Sequence, residues 1–261
     1  MTDLPLGSAG YRPVSDSLVM TVRSLRHAVR NVDSLLIGAF LPVLVLLLMT
    51  TVFGGAIESE GFDYVDYVVP GVLLMCVGYG ASLTATSVTG DMRQGIISRF
   101  RTMNLLPAAV IVGHVLASVL RNLLSVAMVI VTALLLGFDP SAGLTEWLGV
   151  AGVMAAFVLA VATLSSMYGL IARSVEGAAV PGFFFLFLPY VSSTFVPIET
   201  LPDWLQSFAT YQPFTPLGET LRSLLMGTPM GDYGWQTAAW CVGLLVAGIV
   251  GTTVKWRGIR Q

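Results

Sequence analysis

Residues 148–172 read LGVAGVMAAFVLAVATLSSMYGLIA, a stretch of apolar and small side chains that contains no charge. A helix of roughly 20 such residues crosses the hydrocarbon core of a bilayer. Five other runs have the same character, and the predicted spans are 35–53, 67–89, 108–138, 148–172, 177–196 and 235–254. Lipid offers the backbone no hydrogen-bond partner, and none of the runs alternates as a barrel strand does. We therefore predict six transmembrane helices.

The composition of the whole chain agrees with a protein that crosses the membrane several times. Of the 261 residues, 55% are hydrophobic and 11% are charged, and the mean hydropathy is +0.82. This length fits one transmembrane domain. We divide it into a cytoplasmic tail with an interfacial helix at 1–33, a six-span bundle at 34–254 and a second tail at 255–261. Cys76 and Cys241 fall within spans and are expected to be packed thiols.

Basic residues cluster in alternate predicted loops, and this pattern sets the expected orientation. Eleven of the 13 Lys and Arg residues lie in the N-terminal segment, the second loop, the fourth loop and the C-terminal tail. The other loops are acidic, and Arg222 is their only cation. Because cytoplasmic loops carry the excess of Lys and Arg, both termini are expected in the cytoplasm. Four arginines precede the first run, which is expected to be a retained anchor and not a cleaved signal peptide. Short loops and the Ala, Gly and Val content fit a bacterial inner membrane.

Arg121 lies outside these loops, within the unusually long run 108–138. A run of this length makes about 46 Å of helix, against roughly 30 Å of hydrocarbon. If Phe138 marks the outer edge, Arg121 lies near the inner boundary and its side chain snorkels to the headgroups. The alternative is a buried arginine with a functional role.

The segment before the first span has an amphipathic helical pattern. Leu18, Val22, Leu25 and Val29 recur at spacings of four and three and share one helical face. Arginines lie off this stripe. A basic amphipathic helix in front of a span is expected to lie flat on the inner leaflet. A positively charged flank without such a helix is the simpler alternative.

The second predicted loop, 90–107, contains a short amphipathic segment of its own. Its apolar face occupies positions i, i+1, i+4 and i+7, namely Ile96, Ile97, Phe100 and Met103. Arg99 and Arg101 lie beside that face. The face needs a cover, which is either the membrane surface or a groove on a soluble partner. The spacing alone favours neither.

The fifth loop, 197–234, is the one long external connection, and it is only weakly polar. We predict two short helices, 202–211 and 216–226, with Thr200 as the cap of the first. Their apolar side chains, Trp204 among them, suggest a re-entrant helical hairpin that dips into the outer leaflet. Glu219 and Arg222 lie three positions apart, close enough to pair on one helix. The pair either neutralises a charge at an apolar interface or contributes to a gate or ligand contact.

Several kinds of chemistry are disfavoured by what the chain lacks. Its one lysine, Lys255, lies six residues from the C-terminus, so no GxxxxGK[ST] phosphate-binding loop is present. HExxH and GxSxG are also absent, which weakens hydrolytic enzyme classes, and no metal site or nucleic-acid partner is expected. The spans contain almost no ionisable groups, which argues against a self-powered proton- or sodium-coupled carrier. A nucleotide-driven function therefore needs a second polypeptide.

The fifth run carries an aromatic cluster between two prolines. Phe183, Phe184 and Phe187 crowd this run. Such residues usually face lipid or pack in the core. The functional interpretation is an aromatic wall for a greasy substrate.

Four segments, in their order and spacing, resemble the permease subunits of type-2 ABC exporters, especially the daunorubicin-resistance-like branch. They are DYVVPG at 66–71, DMRQGIISRFR at 91–101, FVPIETLPDWL at 195–205 and PFTPLGETLR at 213–222. The last two are the most specific. With the amphipathic N-terminal segment and the six spans, the resemblance covers nearly the whole chain.

The resemblance implies a complex of two paired permeases above two cytoplasmic P-loop ATPase subunits, which bind ATP and Mg²⁺ where this chain binds no cofactor. It also implies that the second loop is the coupling helix on the ATPase, which favours the partner groove. The coupling residues are then Arg93, Ile96, Ile97, Arg99, Phe100, Arg101 and Met103. The first, second and fifth spans are expected near the seam between the permeases. The residues of a pathway or gate are then Phe183, Phe184, Phe187, Trp204, Glu219 and Arg222.

The expected function is therefore that of a non-enzymatic permease subunit for an amphipathic substrate, such as a drug-like natural product, a lipid or a glycolipid. A six-span channel, or a membrane scaffold or assembly factor without ATPase coupling, is the competing class. Such a protein does not need an apolar cytoplasmic helix between its second and third spans. An intramembrane enzyme is a third class, which the missing catalytic motifs disfavour.

Overall fold

The computed structural model describes residues 32–53, 64–95 and 107–259, and the regular elements of these residues are all helical. The α-helices in this part of the chain are α1 Val32–Leu48, α2 Tyr64–Arg93, α3 Pro107–Leu135, α4 Leu144–Ile171, α5 Val175–Ala178, α6 Val180–Phe187, α7 Asp203–Tyr211, α8 Phe214–Met226 and α9 Tyr233–Ile259. The predicted all-α class is therefore confirmed.

Four predicted spans are present as helices that are long and apolar enough to cross a bilayer. They are Tyr64–Arg93, Ile111–Leu135, Leu144–Ile171 and Tyr233–Lys255. The first and fifth predicted spans correspond to the shorter apolar helices Gly38–Val52 and Val175–Val191. The described helices thus support four crossings by length and composition, and the count of six stays a prediction.

The fifth apolar run is broken into pieces, whereas the sequence predicted one helix over 177–196. The helices α5 and α6 are followed by a 3₁₀ turn, Leu188–Val191. Pro181 and Pro189 explain the breaks, because proline lacks a backbone N–H and favours the first turn of a new helix. The hydroxyl of Ser192 then donates to the carbonyl of Pro189 at 2.6 Å, where the chain turns away.

The helix α2 is the centre of the bundle. In its most apolar stretch of 18 residues, 83% of the residues are buried. It packs against α1, α3, α4 and α6. Gly78 permits the approach of α6, because a methyl group at this position would lie 2.6 Å from the backbone nitrogen of Leu186. The helices α2 and α6 therefore pack backbone to backbone.

The helix α9 lies at the edge of the bundle, against α4. A methyl group at Gly248 would lie 2.7 Å from the nitrogen of Leu164, and one at Gly251 would lie 2.8 Å from Cγ of Met167. The two contacts have the same offset along the chain, so α4 and α9 run in the same direction. Cys76 on α2 and Cys241 on α9 are buried free thiols, as predicted.

Two short helices follow the fifth run, close to the predicted limits. Thr200 is not the cap of α7, which corrects the prediction. Its hydroxyl donates to the carbonyl of Pro197 at 2.7 Å, and Pro202 holds the cap position. The helix α8 is largely buried against α2, α4 and α9. Its Phe214 meets Phe157 of α4 edge-on, with 5.5 Å between the ring centroids. The helix α8 is therefore shielded by protein, and the re-entrant course of the two helices stays a prediction.

Candidate functional site

Three of the four segments that carry the family resemblance meet at one end of the bundle, where α2 begins. Segment 66–71 lies in the first turns of α2, segment 195–205 follows the broken fifth run, and segment 213–222 forms most of α8. Arg222 of α8 lies where they meet. We refer to Tyr67, Ser193, Glu219 and Arg222 as the Arg222 cluster.

The guanidinium of Arg222 binds three separate parts of the chain. Its Nη1 donates to Oε1 of Glu219 at 2.5 Å, and its Nη2 donates to the carbonyls of Tyr67 at 3.2 Å and Ser193 at 3.1 Å. The guanidinium also lies 4.1 Å from the centroid of the Tyr67 ring, which is cation–π geometry. Only 14% of the Arg222 side chain is exposed. The predicted Glu219–Arg222 pair is therefore present, and the same arginine ties α8 to the start of α2.

Close backbone contacts complete the cluster. The hydroxyl of Tyr67 donates to the carbonyl of Ser193 at 2.8 Å. A methyl group at Gly71 would lie 3.0 Å from the side chains of both Thr194 and Phe195. One at Gly218 would overlap the methyl group of Thr194. The glycines of two segments thus let the third segment approach.

A second polar set joins the helices at the opposite end of α2. Nε2 of His114 on α3 lies 3.1 Å from Oδ2 of Asp91 on α2. The side chain of Arg93 donates to the carbonyl of Arg173, just beyond the end of α4. We refer to Asp91 and His114 as the His114 pair. Side chains at this end thus link α2 both to α3 and to the end of α4.

A small apolar cluster fills the interior at this end, apart from the main core. Its members are Val88, Ile111, Val115, Ala162 and Leu170. On the side toward the main core, the hydroxyl of Thr84 donates to the hydroxyl of Ser118 at 2.7 Å. The hydroxyl of Thr89 donates to the carbonyl of Gly169 at 2.8 Å. The ends of α2, α3 and α4 therefore form one hydrogen-bonded unit with its own small core.

This unit holds both ends of the segment that contains the predicted coupling residues. Arg93 is the predicted coupling residue within the described part of the chain, and it ends α2, because the chain turns at Gly95 with a φ of 65°. The other predicted coupling residues and the interfacial residues lie outside the described residues; they are Ile96, Ile97, Arg99, Phe100, Arg101, Met103, Leu18, Val22, Leu25 and Val29.

The predicted pathway aromatics form an exposed apolar face. Phe183, Phe184 and Phe187 point outward from α6, while Phe185 turns inward and packs against Phe214, with ring centroids 6.2 Å apart. Trp204 is exposed on α7. This exposed face can contact lipid, a second protein chain or an apolar substrate.

Arg121 lies at the meeting of α1, α2 and α3. Gly38 of α1 packs beside Tyr79 of α2 and near Ser125 of α3, one turn from Arg121. The Nε of Arg121 is buried and makes no hydrogen bond within the described residues. The side chain as a whole is half-buried. Its extension to the headgroups stays a prediction.

Sequence reasoning found Glu219 and Arg222 but missed their partners. Tyr67 lies inside the segment 66–71, so the family resemblance was the signal that pointed to it. Ser193 takes part through its backbone carbonyl, which leaves no trace in the residue type. Asp91 and His114 lie on different helices, and no spacing rule connects them.

Known membrane permeases are similar to this chain over most of its length. Residues 16–226 match the ABC-2 type transporter family. The daunorubicin resistance ABC transporter permease protein DrrB1 of Streptomyces coeruleorubidus is 29% identical over 252 residues, which cover 93% of this chain and 86% of the relative. The probable doxorubicin resistance ABC transporter permease protein DrrC of Mycobacterium tuberculosis is 23% identical over 248 residues, with coverages of 94% and 89%. The inner membrane transport permease YadH of Escherichia coli is 27% identical over 193 residues, with coverages of 71% and 74%. Because the family match spans most of the sequence, the chain belongs to the ABC-2 type transporter family and is a permease of that family.

Proposed function

We propose that this chain is the membrane-spanning subunit of an ATP-driven exporter, in which two permeases form a pathway and separate ATPase subunits drive it. The observation that carries the proposal is the segment between α2 and α3. It contains residues 94–101 of the family-like segment 91–101, and the adjoining ends of both flanking helices belong to one hydrogen-bonded unit. The chain has no GxxxxGK[ST] loop, so ATP and Mg²⁺ belong on two copies of a partner subunit.

In this proposal the His114 pair lies at the cytoplasmic end and the Arg222 cluster at the outer end. The distribution of Lys and Arg supports the orientation, since the cations Arg93 and Arg173 lie beside the His114 pair. Both termini are then cytoplasmic. The name of one relative, an inner membrane permease, supports a bacterial inner membrane.

The mechanism begins at the segment 93–103. When ATP closes the two ATPase subunits, they displace this segment, with the N-terminal interfacial helix following. The ends of α2, α3 and α4 move together, because the His114 pair and the bond from Thr89 to Gly169 join them. The movement opens the seam between the permeases toward the outside. The re-entrant hairpin, tied to α2 by Arg222, acts as the outer gate above the pathway.

The seam is assigned to α1 and α6. Phe40 and Leu44 on α1 are exposed apolar residues, as are Phe183 and Phe184 on α6. The helix α2 is enclosed by its own chain, so we leave the second span out of the seam. A second permease chain, identical or different, would cover these faces.

The substrate is amphipathic, a class that includes drug-like natural products, lipids and glycolipids. The apolar helices and the exposed aromatic face support such a cargo. The names of two relatives, which refer to resistance to daunorubicin and doxorubicin, support a drug-like compound.

The test replaces the apolar face of the coupling segment with charge. Ile97→Asp and Phe100→Asp are expected to abolish co-purification of a P-loop ATPase and ATP-dependent export, while insertion into the membrane is normal. Leu144→Asp is the matched control, because Leu144 is an exposed apolar residue at the opposite end of the bundle. Export at the wild-type rate in Ile97→Asp and Phe100→Asp would contradict the coupling role.

A six-span channel or a membrane scaffold is the competing function. It would share the apolar helices and the charge pattern but would have no ATPase partner. Purification in mild detergent followed by mass spectrometry of the bound subunits separates the two. A wild-type chain that retains no P-loop ATPase would favour the competing function.

A further inference from the structure

Three helices that run in the same direction end at one level, each with a cation. Arg93 ends α2, Arg173 follows α4, and Lys255 lies in the last turns of α9. The side chain of Arg93 reaches the carbonyl of Arg173. The register between α4 and α9 puts Lys255 level with Ile171. Two cations therefore lie at the end of α4, and Lys255 lies at the same level on the neighbouring helix α9.

A cavity of about 310 Å³ opens at the same place. It is lined by Tyr168, Ile171, Ala172, Arg173, Ser174 and Gly177. The hydroxyl of Ser174 accepts a hydrogen bond from the backbone N–H of Gly177 at 2.9 Å, which fixes the shape of this connection. Among the described residues, the lining combines apolar groups with a guanidinium and contains no acid. Such a lining suits a molecule with an apolar body and an anionic head.

The charge near the cavity is positive on balance. Asp91 is close to Arg93 in the chain, but its carboxylate is engaged by His114. Glu176 is exposed on α5, two residues beyond Ser174. The described residues near this end of α4 thus include one exposed carboxylate, Glu176, against the three cations Arg93, Arg173 and Lys255.

We infer that this cavity binds the phosphate headgroup of an anionic phospholipid. Basic pockets between membrane helices attract such headgroups at the cytoplasmic surface. The level of the cavity along the bundle agrees with a headgroup site. The helix α2 rises about 40 Å from Asp66 to Arg93, and a bilayer with its headgroups is roughly 40–45 Å thick. The inference rests on the proposed orientation, with this end of the bundle in the cytoplasmic leaflet. The bound lipid would link the ends of α2, α4 and α9 beside the coupling segment.

The experiment counts lipids bound to the full chain. The purified protein in mild detergent is titrated with an equal mixture of phosphatidylglycerol and phosphatidylcholine, and native mass spectrometry measures the ratio bound. Wild type is expected to prefer phosphatidylglycerol. Arg173→Gln is expected to lower that preference about fivefold, the effect of one cation near a membrane surface. The double variant Arg173→Gln/Lys255→Gln is expected to lower it further.

Two variants control for folding and for charge. Arg173→Lys keeps the cation and is expected to keep the preference. Arg12→Gln removes the same charge from the N-terminal segment, far from Arg173 in the sequence, and is expected to leave the preference unchanged. Thermal unfolding checks that all variants are folded.

Three results would overturn the inference. The first is an equal lipid preference in wild type and in the double variant. The second is displacement of the lipid by inorganic phosphate, which would assign the cavity to a soluble anion. The third is loss of ATPase co-purification in Arg173→Gln with an unchanged lipid preference, which would assign it to the partner subunit. The lipid counts need no transport, so their failure is distinct from failure of the proposed pump.

Discussion

The two ends of the bundle are held together in different ways. At the Arg222 cluster, one largely buried cation binds a carboxylate and two backbone carbonyls from three parts of the chain. At the other end, His114 of α3 binds Asp91 of α2, and separate hydroxyl bonds from Thr84 and Thr89 link α2 to α3 and α4. The two pairs are about equally buried, with 14% and 21% of the side chains exposed at Arg222 and Glu219 and 13% and 19% at His114 and Asp91, so the difference lies in the number of acceptors that each cluster joins. A buried charge with several partners is costly to disrupt. This difference supports the proposal that the Arg222 end stays assembled while the His114 end transmits movement.

The largest effect is expected from Arg222→Gln. This change leaves the carboxylate of Glu219 without its cation, and loss of one partner of a buried pair costs about 3–5 kcal/mol. We expect a large fall in the unfolding temperature in detergent and in the yield of monodisperse protein. The unfolding temperature of Arg222→Lys should lie between those of wild type and Arg222→Gln. Lysine keeps the charge, but its ammonium group lacks the planar fork that reaches several acceptors at once. Wild-type stability in Arg222→Gln would remove the distinction between the two ends.

A smaller effect separates the ends through two glycines. Gly218→Ala would force a methyl group onto Thr194 at the Arg222 end. Overpacking of this kind costs about 1–3 kcal/mol. Gly90→Ala is the matched change at the His114 end, where no atom of the described residues lies within 4 Å of the added methyl group. It is expected to be neutral or to stabilise α2 by up to about 1 kcal/mol, and thermal unfolding of both variants measures the contrast. Equal effects would show that the two ends are packed alike.

The smallest effect on stability is expected at the His114 pair. Both side chains are about as buried as the Arg222 pair, with 13% and 19% exposed, but a single hydrogen bond joins them, so His114→Gln and Asp91→Asn should each lower the free energy of unfolding by about 1 kcal/mol. They should nevertheless reduce the amount of substrate exported per ATP hydrolysed, because α2 and α3 then move less as a unit. The double variant should export as much substrate per ATP hydrolysed as the single variant with the larger loss. His27→Gln, in the N-terminal segment, is the histidine control. Unchanged export per ATP in both single variants would show that the pair does not transmit movement.

The sequence predicted the parts of the fold that depend on long apolar runs and on local spacing. The candidate spans at α2, α3, α4 and α9 were predicted from the lengths of the apolar runs, because a helix needs roughly 20 apolar residues to cross a bilayer. The pairing of Glu219 with Arg222 follows from their spacing on one helix. The local helix-start signals at 200–203 and 215–216 predicted the two short helices close to the limits of α7 and α8.

The remaining features depend on contacts that the residue types do not encode. Arg222 binds the carbonyls of Tyr67 and Ser193, and a carbonyl acceptor is available at every residue. The break in the fifth run was visible as two prolines, but an apolar run alone did not show that they would interrupt it. Thr200 resembled a cap by position, yet its hydroxyl donates to the carbonyl of Pro197, three residues earlier in the chain.

Transport by purified components tests the central claim most directly. Proteoliposomes that contain the chain, the ATPase that co-purifies with it, or both, are loaded with ATP and an amphipathic fluorescent dye, and dye movement is followed. The account predicts movement only with both proteins and ATP, and none when the chain carries Ile97→Asp. Equal dye movement by the chain alone, without any partner subunit, would contradict it.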